Sequence, residues 1–163
     1  MRWPQVAARL LVPGFLLAGP CARAQDEGHA RALAPELVLD GAVRHPGPLG
    51  PAALRGLPIL SLPVVQATGH GVTHARPTGV LLWDLLQQAG PVDEAARHAA
   101  LRHTVTATGR DGYQAAFSFG ELDPDGSGDP VLLTMSDGQA GLVVPGDRTG
   151  ARDVHDVVRI TVH

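Results

Sequence analysis

Leu142-Val143-Val144-Pro145-Gly146-Asp147-Arg148-Thr149-Gly150-Ala151-Arg152-Asp153-Val154, closing on Val157-Val158-Arg159-Ile160-Thr161-Val162, is the stretch whose reading decides the fold. An apolar strand runs into a Pro-Gly break, a short loop carries two arginines and a second glycine, and a β-branched strand follows. A glycine turn exposes backbone N–H groups and flanking guanidiniums add fixed positive charge, so such a loop is able to hold an oxyanion. The ordinary alternative is a surface turn with two solvated arginines.

Working outward, 163 residues suffice for one domain with a single sizeable core. Lysine and asparagine are absent, so all thirteen positive side chains are arginines, which reads mainly as coding bias. Met1-Arg2 and Arg9 give a basic start before an apolar centre, Leu10-Leu11-Val12 and Phe15-Leu16-Leu17-Ala18, and Ala22-Arg23-Ala24 offers a small-x-small cleavage site. Residues 1–24 therefore read as a signal peptide cleaved after Ala24, residues 25–35 as a flexible lead-in and 36–163 as the domain. The expected location is periplasmic or secreted. Pro13, Gly14 and Pro20 break the apolar run, which is too short to span a bilayer, so no transmembrane segment is expected in the mature chain. Cys21 could instead carry a lipid, though Pro20 stands where lipoprotein signals want a small, flexible residue. Either way the mature domain has no internal thiol to offer a disulfide, a nucleophile or a metal.

Cleavage removes Arg2, Arg9 and Arg23 and no acid, leaving ten arginines against sixteen acids. That balance argues against nucleic acid or an anionic membrane as the main partner and leaves room for a local anion site.

Glu36 to Gly41 reads as a short strand closed at Asp-Gly, and Pro58 to Ala67 as a buried strand. Pro51 to Arg55 reads as a helical turn. Leu82, Leu85, Leu86 and Ala89 make an apolar helical stripe, with Thr78 as cap and Gly90-Pro91 as stop. A second short helix is expected over Val92 to Leu101. His103 to Ala107 and Tyr113 to Phe119 read as strands joined by an Arg110-Asp111-Gly112 turn, and Val131 to Met135 as another strand. Strands interrupted by a helix pair predict an α+β fold with a mostly β core.

Three of these segments carry a resemblance. Thr78-Gly79-Val80-Leu81-Leu82-Trp83-Asp84-Leu85-Leu86, Ala107 through Leu122, and Leu142 through Val162 resemble, in order, motifs of the molybdopterin-binding domain of the sulfite oxidase family, in a small stand-alone secreted form. The likeness covers roughly Glu36 to Val162. It implies a mixed, β-rich α+β domain that buries a phosphate-bearing pterin whose dithiolene holds molybdenum. Two departures stand out. The family's molybdenum-ligating cysteine aligns with Ala67, and a methyl group does not ligate a metal. The lysine of the closing motif is His155, an imidazole in place of a permanent positive charge.

The resemblance places the Arg148 to Arg152 loop beside the pterin phosphate, making Arg148 and Arg152 the expected anion contacts, with Thr149 and the N–H of Gly150 completing a cradle and His155 nearby. Gln66, Thr68 and His70 fall where the metal-facing loop would be. His70 and His74 are spaced i, i+4, but Gly69 and Gly71 argue against a helix there and no third ligand is near, so no metal ligand is assigned. Asp123-x-Asp125-Gly126 resembles half of a calcium loop, lacks its closing glutamate and reads as a turn. Tyr113 and Trp83 read as core or pocket-wall residues. No catalytic residue is assigned. Two functions follow as expectations: a molybdenum cofactor-dependent oxidoreductase, or its cofactor-binding subunit with a redox partner protein; or a non-catalytic binding module of the same fold that takes a small anionic ligand or an interaction partner.

Overall fold

The computed structural model describes residues 37–92, 99–126 and 128–163. The expected signal peptide, the lead-in and the middle of the expected second helix lie outside the described residues. All described residues belong to one compact unit, Ala32–His163.

Eleven strands dominate the described chain: β1 (Val38–Gly41), β2 (Gly47–Pro48), β3 (Ile59–Ser61), β4 (Val64–Thr68), β5 (Gly71–Ala75), β6 (Thr78–Leu81), β7 (Thr104–Gly109), β8 (Gln114–Ser118), β9 (Leu132–Ser136), β10 (Gln139–Val143) and β11 (Val157–Val162). They form a five-stranded sheet ordered β2-β1-β11-β7-β8, a four-stranded sheet ordered β10-β9-β6-β3 and the hairpin β4-β5. β1 runs parallel to β11, and the other pairs are antiparallel.

Local chemistry explains the hairpins. Val105 and Ala107 on β7 and Ala115 and Phe117 on β8 alternate with exposed or half-buried residues, and all four are buried. Their turn is closed by the Asp111 carboxylate, which accepts the Tyr113 N–H at 3.0 Å. β9 turns into β10 through Asp137-Gly138, both with positive φ (51° and 79°), as a tight hairpin turn demands. Gly41 lets β1 lie beside β11: its φ is +90°, and an added Cβ would sit 1.9 Å from the Val162 carbonyl oxygen. Apolar side chains of the five- and four-stranded sheets join one core cluster, with Leu39, Phe117 and Ile160 from the first and Val80, Leu133 and Leu142 from the second.

The helix α1 (Leu82–Ala89) buries Leu82, Leu85, Leu86 and Ala89 in that cluster, as the spacing predicts, and stops at Gly90 with φ 72°. Its start differs from expectation. Thr78 does not cap it; Thr78–Leu81 is the strand β6, paired on both sides, and Leu81 takes the N-cap position with no side-chain hydrogen bond.

The α+β expectation is therefore corrected: the domain is mostly β. Among the described residues α1 is the one α-helix, eight residues long. The described end of the expected second helix is a short 3-10 turn, Ala99–Arg102. Residues 51–56 form hydrogen-bonded turns, as the surrounding Pro and Gly dictate. The expected buried strand from Pro58 to Ala67 is split at Leu62-Pro63, where proline has no N–H for a ladder, into β3 and β4. Much of it faces solvent, with Ile59 74 % and Val65 51 % exposed. No helix among the described residues is long and apolar enough to cross a membrane.

Candidate functional site

The two loops expected to flank a ligand do meet. Ala67 on β4 donates its N–H to the Arg148 carbonyl at 2.8 Å, tying the β4-β5 hairpin to the C-terminal loop. One residue earlier, Gln66 Nε2 donates to Asp153 Oδ2 at 2.9 Å, and Asp153 Oδ1 accepts the N–H of buried Val144 at 2.9 Å. Gly150 lies against this junction: a Cβ there would stand 3.1 Å from Asp153 Oδ2 and 3.5 Å from Gln66 Oε1.

Of the expected contacts, Gln66 and Gly150 sit at this junction, and the arginines do not. Arg148 and Thr149 are exposed, and Thr149 makes no capping bond to the 3-10 turn Gly150–Arg152. Arg152 turns inward. Its Nε and Nη2 clasp both oxygens of Asp147 at 2.9 and 2.6 Å, and Nη1 donates to Glu121 Oε1 at 3.2 Å. Its guanidinium carbon stands 5.4 Å from the centre of the Phe117 ring. The hydrogen bonds to Asp147, and then the charges of Asp147, Glu121 and Asp129, raise the Arg152 pKa above its already high ordinary value. A polar cavity of about 210 Å³ opens beside it, lined also by Glu121, Asp129 and Val144. Three carboxylates around one guanidinium leave that corner net negative.

Thr68 and His70 are exposed and bind the β4-β5 turn to itself. Thr68 Oγ1 donates to the Gly71 carbonyl at 2.9 Å and accepts the His70 N–H at 3.2 Å. His155 is exposed. Tyr113 is 46 % exposed rather than core, and its hydroxyl donates to the Ala151 carbonyl, a cross-link from the β7-β8 hairpin to the C-terminal loop. Trp83 packs on Phe119 with ring centres 5.2 Å apart. Asp123 spends its carboxylate on the Asp125 N–H at 3.0 Å, as a plain turn does. Among the described residues no three His, Cys, Asp or Glu side chains cluster as a metal set would.

Asp153, the residue that joins the two loops, was not singled out by sequence. Its only local signal is a lone acid between the loop's glycine turn and a buried valine.

The residues do not fit a phosphate-bearing pterin held as the resemblance implies. Arg152 is committed to carboxylates, Arg148 and the cradle residues face solvent without converging on the cavity Arg152 lines, and Ala67 offers no ligand atom.

The fold nevertheless has a solved counterpart. This mostly β domain shares its fold, at a distance, with a solved protein. It aligns with the crystal structure of the sulfane dehydrogenase SoxCD from Paracoccus pantotrophus at a TM-score of 0.60 and 19% identity, over 78% of this chain and 38% of that one. The chain thus spans well under half of its neighbour's length, and the likeness is one of fold. No family model matches the chain, and no curated protein matches it in sequence.

Proposed function

We propose that this protein is a non-catalytic binding module on a sulfite-oxidase-like fold. The observation that carries this reading is the commitment of Arg152, the one expected anion contact with a cavity at its side, to Asp147 and Glu121. A guanidinium satisfied by two carboxylates, with Asp129 a third charge nearby, has little to offer a phosphate, and the surrounding acids repel one. Ala67 supports the same reading, because the sulfur that would fix molybdenum is replaced by a methyl group. The molybdenum-dependent oxidoreductase, or its cofactor-binding subunit, is the rival that fold likeness alone favours.

Metal analysis of protein purified from a molybdenum-replete host separates the two. The expected result is substoichiometric molybdenum and no pterin fluorescence after denaturation; one molybdenum per chain, or released pterin, overturns the proposal. Export to the periplasm or medium belongs to the same reading. Its check is intact mass: a mature chain beginning at Gln25 supports cleavage after Ala24, and a lipidated Cys21 replaces the secreted form with a tethered one.

A further inference from the structure

An apolar cavity shares no residue with the Gln66–Asp153 junction. It has a volume of about 490 Å³ and opens at the β3 edge of the four-stranded sheet. Leu54 and Leu57 come from the turns before β3, Ile59 and Val80 from β3 and β6, and Leu133 and Met135 from β9. Ligand pockets are typically about 300–1,000 Å³ and mostly apolar, with a few placed polar groups. This one falls in that range and leaves Ile59 74 % and Met135 40 % exposed in its wall.

One charged side chain lines the cavity, Arg55. It is exposed, and no ion pair or side-chain hydrogen bond to it occurs among the described residues. The sequence around it is one-sided. From Gly41 to Trp83 there is no aspartate or glutamate, while Arg44, Arg55, Arg76 and three histidines fall in that span of a chain holding sixteen acids. An apolar hollow with a guanidinium beside it and no competing carboxylate in its own segment is complementary to a molecule with an apolar tail and an anionic head.

We propose that this cavity is a binding site for a single-chain carboxylate amphiphile of the fatty-acid class. The tail lies over Leu57, Ile59, Val80 and Met135, and the carboxylate is held by Arg55. The site is independent of the pterin question, since it shares no residue with the Arg152 corner.

Decanoate is the probe, titrated into the purified protein by calorimetry below its micelle-forming range, with decanol as the neutral partner of equal tail. Saturable binding of one decanoate per chain is expected, with decanol weaker by at least fivefold. Arg55→Gln should cost decanoate at least fivefold and leave decanol unchanged. Ile59→Glu, at an exposed position that tolerates a charge, should abolish binding of both while the thermal midpoint stays within a few degrees of the parent. No saturable decanoate binding overturns the site. So does binding that survives both substitutions, and equal affinity for acid and alcohol removes Arg55 as the head-group contact.

Discussion

Gln66 and Asp153 stand 87 residues apart in sequence and meet through one hydrogen bond of 2.9 Å, which fastens the β4-β5 hairpin to the loop before β11. The second oxygen of Asp153 accepts the N–H of Val144, a fully buried residue, so one carboxylate serves both the loop and the end of β10. The hairpin is otherwise almost bare, with every residue of β5 exposed. Its position therefore depends on this contact, on the Ala67 to Arg148 backbone bond and on Val64, the buried apolar side chain of β4.

From this, Asp153→Ala is expected to destabilise by about 1–3 kcal/mol, because it leaves a buried N–H without an acceptor. Gln66→Ala removes only a half-buried donor and should cost about 0.5–1.5 kcal/mol. Urea unfolding of the two single variants and the double variant gives the coupling energy. Equal cost for the two single substitutions would show that the Val144 contact contributes nothing.

Arg152 supports a second prediction. It joins Asp147, Glu121 and the Phe117 ring, three points on the Pro-Gly loop, the 3-10 turn after β8 and β8 itself. Its side chain is 38% exposed, so solvent screening reduces each ion pair, and the clasp as a whole is worth about 1–2 kcal/mol. Arg152→Gln should lower stability by that amount, and Arg152→Lys should recover less than half, since an ammonium lacks the planar fork. The difference should shrink in high salt. Unchanged stability in both variants would mean that Arg152 is free to serve a ligand, and the binding-module reading would lose its main support.

What the sequence made legible was local. The β7-β8 hairpin, the closing strand and the Leu82 stripe each follow from alternation or a 3.6 period over a few residues, and all three form as expected. Thr78 misled because a threonine before an apolar run suits a cap and a strand equally. Only pairing with β3 and β9, from distant parts of the chain, decides between them. Pro58 to Ala67 misled because apolar composition speaks for burial, whereas burial depends on which neighbour covers the strand. The site was legible as a meeting of two loops and not in its partners. Arg152 stands five residues from Asp147 and 31 from Glu121, and no spacing rule tells an arginine that will find carboxylates from one that will wait for a phosphate.

Asp156 yields a prediction in which backbone and charge are separable. It holds φ at 48°, a left-handed conformation that Asn and Asp tolerate better than other side-chain-bearing residues. Its carbonyl accepts the Arg110 N–H at 3.0 Å, and its carboxylate pairs with the Arg110 guanidinium. That hydrogen bond first, and the charge of Arg110 after it, lower the Asp156 pKa below the ordinary carboxylate value of 3.8. A carboxyl more acidic in the folded protein than in the unfolded chain stabilises the fold fully above about pH 4–5. The contribution fades as pH falls through the lowered folded value. Asp156→Asn should keep the turn, because Asn accepts the left-handed conformation, and should flatten this part of the acid stability profile. Asp156→Ala should flatten it too and lower stability further through the strained backbone. Carbon-detected NMR titration of the Asp156 carboxyl checks the charge directly, and Arg110→Gln should return its pKa toward the ordinary value. An Asp156 that titrates normally in the parent protein, or an Asn variant as destabilised as the Ala variant, would break the assignment.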